Sequence, residues 1–166
     1  MSTFFGKYRG IVSDVNDPLF QGRIKARVPD VLGGDESGWA MPCFAVAGNG
    51  AGFFALPQSG SGVWIEFEHG DPDYPIWCGS WIGMPLDAPA EWNLPAPYKK
   101  IMLVTPGGHK VTLDDTPGLG GIMLETSGGQ KLSLTALGVS IDNGMGAKVA
   151  LQGPLVQIND DGLQVM

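Results

Sequence analysis

The sequence predicts an all-β protein made of two parts, a small closed barrel followed by a long β-meander. The chain contains 26 glycines and 13 prolines in 166 residues, about twice average usage, which argues against long helices. In the first half, apolar and polar residues alternate with period two, as in strands with one buried face. In the second half, an apolar-x-apolar pair recurs at short intervals between glycine-containing turns.

The first half carries the pattern of a barrel. In Gly22–Pro29, Ile24, Ala26 and Val28 occupy one face and the intervening basic residues occupy the other. Strands are expected at about Gly6–Val15, Gly22–Pro29, Gly38–Val46, Ala51–Leu56, Gly62–His69 and Tyr74–Ile82, with turn residues between them. Closely spaced strands within about 80 residues suit an OB-type barrel better than a sandwich of about 100 residues.

The second half repeats one short unit. Its apolar pairs are Val111/Leu113, Ile122/Leu124, Leu132/Leu134, Val139/Ile141, Val149/Leu151, Val156/Ile158 and Leu163/Val165. Each pair predicts a strand that places two aliphatic side chains on one face. Because no Trp, Tyr or Phe follows Tyr98, the chain has little with which to cover that face.

Such a face predicts a homotrimer, in which three copies form an intertwined β-helix or β-prism with these fourteen residues in its core. The alternative is a monomeric meander folded back on the barrel. The predicted domains are a barrel at 1–84, a Pro-rich linker at 85–99 and a trimeric needle at 100–166.

Composition excludes several function classes. The formal net charge of −7 argues against a nucleic-acid partner, although Arg23, Lys25 and Arg27 form a basic stripe. The first ten residues lack the apolar core of a signal peptide, so synthesis in the cytoplasm without a signal peptide is expected. Cys43 and Cys78 are expected to be buried, reduced thiols.

The candidate chemical groups are interpreted as a turn and as a solvated strand end. His69-Gly70-Asp71-Pro72-Asp73 is typical of turn chemistry, and Asp114-Asp115 are adjacent on a strand, so their side chains point to opposite faces. The sequence therefore predicts no catalytic site, no metal and no cofactor.

Several runs of the first half resemble the OB domain of phage baseplate central spikes and VgrG proteins. They are Tyr8-Arg9-Gly10-Ile11-Val12, Gly22–Pro29, Gly38-Trp39-Ala40, and Leu56–Trp81 with its Gly70-Asp71-Pro72 core. The tail from Lys100 resembles, in texture, the trimeric β-helix needle of the same family.

The resemblance implies the structural spike of a contractile injection machine: a phage tail, a type VI secretion system or an extracellular particle. It implies baseplate components as partners, a separate hub protein, a PAAR-type tip protein and transient contact with a target membrane. Candidate hub-docking residues are Phe4, Phe5, Arg23, Lys25 and Arg27, and candidate tip-binding residues are Leu163, Val165 and Met166. The alternative function is that of a monomeric carbohydrate- or protein-binding β module. A hydrolase that loses activity when Asp114 or His69 is changed is a second alternative, and neither alternative accounts for the repeating tail without aromatic residues.

Overall fold

The computed structural model describes residues 2–90, 99–160 and 162–165. These residues form two compact units, one on each side of the boundary between Ala88 and Pro89. The predicted linker at 85–99 lies mostly outside the described residues. The elements are β1 (Tyr8–Asp14), β2 (Lys25–Arg27), α1 (Pro29–Leu32), β3 (Met41–Pro42), β4 (Ala47–Gly48), β5 (Ala51–Gly52), β6 (Gly62–Phe67), β7 (Pro75–Trp81), β8 (Lys100–Val104), β9 (Lys110–Asp114), β10 (Gly121–Glu125), β11 (Lys131–Thr135), β12 (Gly138–Asp142), β13 (Lys148–Gln152), β14 (Leu155–Ile158) and β15 (Leu163–Val165), with short 3-10 turns at Glu68–Gly70 and Pro85–Asp87.

The N-terminal unit is a curled sheet with the strand order β2-β1-β6-β7-β3. Its two edges meet at Ile24 and Ala40, whose backbone groups exchange hydrogen bonds of 3.2 and 2.8 Å. This contact closes the sheet on itself, as the predicted OB-type barrel requires.

The barrel encloses its own hydrophobic core. Strand β6 illustrates the cause, because Val63, Ile65 and Phe67 point inward while Trp64 and Glu66 alternate outward. The buried side chains are Val12, Ile24, Ala26, Val28, Ala40, Val63, Ile65, Phe67 and Trp77. Trp77 also satisfies its indole N–H by donating to the carbonyl of Gly22 at 3.0 Å.

Several barrel strands are shorter than predicted. Pro29 ends the second strand and begins the single turn α1, because proline fixes φ and has no N–H for a ladder. The predicted strand Gly38–Val46 reduces to the two residues of β3, and Ala51–Leu56 reduces to β5. The sequence analysis also missed β4, which pairs with β5 as a separate two-stranded ribbon.

The C-terminal unit is an eight-stranded antiparallel sheet in which the strands lie in sequence order from β15 to β8. Seven of these strands are predicted by the apolar pairs. The eighth, β8, was missed because Ile101 and Leu103 directly follow a proline-rich segment without a preceding turn signal.

Three of the tail's hairpin loops share one closing device. They are the five-residue loops 105–109, 126–130 and 143–147, and in each a side-chain oxygen of the first residue accepts the backbone N–H of the fifth. The acceptors are Thr105, Thr126 and Asn143, and the distances are 3.0, 3.3 and 2.9 Å. The tail is therefore a repeat of hairpins as well as of strands.

Candidate assembly surfaces

The apolar pairs of the tail line up in two columns on one face of the sheet. Cross-strand registers place Leu113 opposite both Ile101 and Ile122, and Val111 opposite both Leu103 and Leu124. The same alignment continues strand by strand to β15. One column is Ile101, Leu113, Ile122, Leu134, Val139, Leu151, Val156 and Val165, and the other is Leu103, Val111, Leu124, Leu132, Ile141, Val149, Ile158 and Leu163.

These columns are largely open to solvent in a single chain. Ile141 is 58% exposed and Leu163 is 52% exposed. Among the described residues, Ala150 is the only buried hydrophobic residue of the tail, whereas the barrel has nine. Because full burial of one such side chain contributes roughly 1.5–3 kcal/mol, the columns are a surface that gains stability when covered.

The pair Ile101/Leu103 belongs to the columns although the sequence analysis omitted it. Both side chains are exposed, and both lie in register with the next strand. At the other end, the backbone of Val165 pairs with Val156. The side chain of Val165 and all of Met166 lie outside the described residues.

The opposite face of the tail carries an alternating row of charges. Lys110 is opposite Glu125, Glu125 is opposite Lys131, Lys131 is opposite Asp142, and Asp142 is opposite Lys148. Opposite charges at directly paired positions favour one register over its slipped alternatives. The row of charges is therefore polar, whereas the middle of the same face, at Thr112 and Ala150, is buried within one chain.

Phe4 and Phe5 have different environments. Phe4 packs against Tyr8 and Phe67, with ring centroids 6.2 and 6.3 Å away, and its N–H donates to the carbonyl of Gly70 at 2.8 Å. Phe5 is 73% exposed. Phe4 therefore extends the barrel core, while Phe5 is the one of the two that is available to a partner.

The basic stripe is partly occupied within the barrel. The Arg23 guanidinium donates to the buried carboxylate of Asp17 at 2.6 Å, and this hydrogen bond holds the pKa of Asp17 well below its usual range. Arg23 and Lys25 also lie over the ring of Trp39, at 5.6 and 5.3 Å from its centroid. Arg27 is exposed.

Two of the candidate tip residues, Leu163 and Val165, lie on an edge strand. β15 pairs only with β14, so its other backbone edge has no strand beside it among the described residues. Leu163 lies on this strand and is exposed.

The two candidate groups occupy a turn and a strand end, since His69 lies in the 3-10 turn Glu68–Gly70 and Asp114 is the last residue of β9. The Asp114 carboxylate accepts hydrogen bonds from the Thr116 hydroxyl and N–H at 2.6 and 2.9 Å, which lower its pKa, with a further contribution from Lys100. Within residues 2–90, 99–160 and 162–165, no cluster of three potential metal-binding side chains occurs. No helix among them is long and apolar enough to span a bilayer.

Both cysteines are free, but the expectation that they are buried is wrong. Cys43 is exposed and Cys78 is partly buried. Phe44 occupies the inward position next to Cys43 by packing on Trp77, so the Cys43 side chain alternates outward.

Two family models match the chain. Residues 8–81 match the type VI secretion system/phage-baseplate injector OB domain, and residues 100–164 match the phage baseplate V C-terminal trimerisation domain. No curated protein matches the chain significantly. Both families are structural baseplate domains rather than enzymes, and the second supports a homotrimer. The chain therefore belongs to the family of phage-baseplate and VgrG-like spike proteins, and its role is that of a structural component of a baseplate spike.

Proposed function

We propose that three copies of this chain form the central spike of a contractile injection particle. In this proposal the barrels dock on a separate hub protein, the tails form a needle that pierces the target envelope, and a PAAR-type tip protein binds at β15. The chain has no enzymatic role of its own.

The observation that carries the proposal is the pair of aliphatic columns. Sixteen aliphatic residues in strict register on one face form a continuous apolar surface. In a threefold arrangement the apolar surfaces of all three chains would be buried around the axis, and the three chains would be equivalent. With eight strands at a spacing of about 4.8 Å, a needle whose strands cross the axis would be about 34 Å long.

Hub docking is assigned to the exposed Phe5 and Arg27 and to the half-buried Lys25, and tip binding is assigned to the exposed Leu163. Phe5, Lys25 and Arg27 present apolar and basic groups on the barrel surface, whereas Phe4 and Arg23 hold the barrel together. At the tail, the open backbone edge of β15 and the apolar Leu163 offer both hydrogen bonds and apolar contact to a tip protein.

The experiment that tests the proposal is the absolute mass of the full chain, measured by light scattering during size exclusion. We expect the mass of three chains for the wild type. Leu134→Asp should abolish the trimer, because it places three charges in the column interior.

Ala136→Asp is the matched control, because Ala136 is exposed in the turn that follows β11 and lies outside the columns. It should leave the mass at three chains. A monomeric wild type would contradict the trimer and favour the monomeric binding module, while a trimeric Leu134→Asp would contradict this packing.

A further inference from the structure

A group of exposed apolar side chains on the barrel unit belongs to none of the surfaces assigned above. Two of its members lie on the loop between β1 and β2, and three flank the β4–β5 ribbon. We call this group the aromatic patch, and it consists of Leu19, Phe20, Val46, Phe53 and Phe54. Phe20 and Phe54 line one groove, so the loop and the ribbon are neighbours.

Hydrogen bonds within the loop fix its backbone and leave the Phe20 side chain in solvent. The carboxylate of Asp17 accepts the backbone N–H groups of Leu19, Gln21 and Arg23 at 3.0, 2.7 and 3.2 Å. Within this loop Phe20 is 94% exposed and has a φ of 54°. That conformation is unfavourable for a bulky residue, and such strain persists where the surroundings enforce it, often at functional positions.

The ribbon is equally exposed and is anchored only at its base. Phe54 packs on Phe44 with the ring centroids 5.4 Å apart, and Phe44 packs on the core residue Trp77 at 5.6 Å. Beyond this base, and within the part of the chain that the structure describes, β4 and β5 pair only with each other, over two residues each. A two-stranded ribbon of this length is marginal in water, so a covering partner would stabilise it.

The distribution of charge on the barrel points to a second copy of this chain as that partner. Residues 1–98 carry eleven acidic and five basic side chains, but none of the 29 residues from Ser37 to Ile65 is charged. Barrels that are brought together in a trimer repel each other wherever their acidic faces meet. The uncharged ribbon offers a face on which identical barrels can approach, and Asp17 and Arg23 neutralise each other beside it.

We propose that the aromatic patch is a second contact between copies, in which the Phe20 loop of one barrel packs on the ribbon of the next. A cyclic trimer requires each copy to offer different groups to its two neighbours, and the two sides of the groove, the loop and the ribbon, offer them close to a shared axis. This inference rests on the trimer proposed above. The tails keep the barrels at high effective concentration, so a contact too weak to join free barrels can form.

The test is hydrogen exchange on the full-length wild type and on Phe20→Asp, Phe53→Asp and Tyr74→Asp. Tyr74 is an exposed aromatic residue outside the patch and serves as the matched control. Aspartate tolerates a positive φ better than phenylalanine, so Phe20→Asp should fold at least as well as the wild type. Phe53→Asp tests the other half of the contact.

We expect all four proteins to remain trimers. In Phe20→Asp and Phe53→Asp the amides of residues 46–54 should exchange at least about tenfold faster than in the wild-type trimer, because the ribbon is uncovered. The monomeric Leu134→Asp variant, whose barrel is unchanged, should show the same fast exchange, and protection retained in that monomer would overturn a contact between copies. Tyr74→Asp should match the wild type.

Rapid exchange of these amides in a wild-type trimer would overturn the second contact while leaving the tail trimer intact. If the amides of residues 46–54 become protected only when a hub protein is added, the patch binds the hub, and the contact between copies is overturned. If Tyr74→Asp also speeds the exchange of these amides, the cause is the added negative charge and the second contact is overturned. A monomeric wild type would overturn both the contact and the trimer.

Discussion

Asp17 organises the loop between β1 and β2 from a single buried carboxylate. It accepts three backbone N–H groups and the guanidinium of Arg23. The sequence predicts a turn at Asp17-Pro18. The ion pair forms because the folded loop brings Arg23 back beside Asp17, and a pattern of residues does not show this.

Because its pKa is lowered on folding, Asp17 stabilises the barrel when it is ionised. Its contribution is complete above the ordinary aspartate pKa of about 4 and is lost as the pH falls towards the lower pKa of the folded state. We therefore expect Asp17→Asn to be less stable than the wild type at pH 7, with the difference shrinking between about pH 5 and pH 2. Urea unfolding of the barrel at several pH values measures this, with the exposed Asp35→Asn as the control; a pH-independent difference would contradict the prediction.

Gly121 permits the close approach of two tail strands. A Cβ at this position would overlap the carbonyl oxygen of Leu134, so Gly121→Ala should displace β10 from β11 and cost about 1–3 kcal/mol. At Gly34, a Cβ meets nothing within 4 Å, so Gly34→Ala is the control. Thermal unfolding of both variants tests this, and equal midpoints would contradict it.

At the scale of elements, the tail hairpins are interchangeable. The loops at 126–130 and 143–147 have the same length, and each follows an acidic residue, Glu125 or Asp142, and precedes a lysine, Lys131 or Lys148. The paired strands keep the same apolar register on both sides. Removal of one whole hairpin should therefore leave a continuous sheet.

Deletion of Thr126–Asp142 joins Glu125 to Asn143 and should pair Glu125 with Lys148. We expect a folded trimer whose needle is shorter by two strand spacings, about 9.6 Å, as measured by small-angle scattering. Adding Lys148→Glu places like charges at the new hairpin and should lower its melting temperature. A deletion variant that aggregates or is monomeric would show that the hairpins are not equivalent.

The elements also show where prediction from the sequence stops. Period-two alternation located β6 and the seven apolar-pair strands, because one face of each is uniformly apolar. It overextended β2, because Pro29 overrides alternation, and it missed β4, where every residue from Ala45 to Ala51 is small or apolar except Asn49. Neither strand of that ribbon has an inward face from which a periodicity could arise.

For the whole molecule, the two units differ in where their stability originates. The barrel has a core of nine buried hydrophobic residues within one chain, whereas the apolar face of the tail is exposed. The need of the tail for a partner could be predicted, because its apolar pairs have no aromatic cover. The aromatic patch could not, because Phe20 and Phe54 are distant in sequence and meet only through the fold.

This difference predicts two thermal transitions. The tail transition should move to higher temperature as protein concentration rises, because unfolding there is coupled to dissociation of the trimer, while the barrel transition should not. Calorimetry over a range of concentrations tests this. Two transitions that are both independent of concentration would indicate a tail that is stable in one chain.

The order of strands in the tail has a consequence for how quickly it can form. Each strand pairs with its neighbours in sequence, so the contacts of the sheet are short-range, and low contact order favours rapid folding. Single hairpins form within about 1–10 μs, far faster than dilute chains collide. A tail can thus sample its final strand register before it meets another chain, which leaves the encounter of three chains as the slow step.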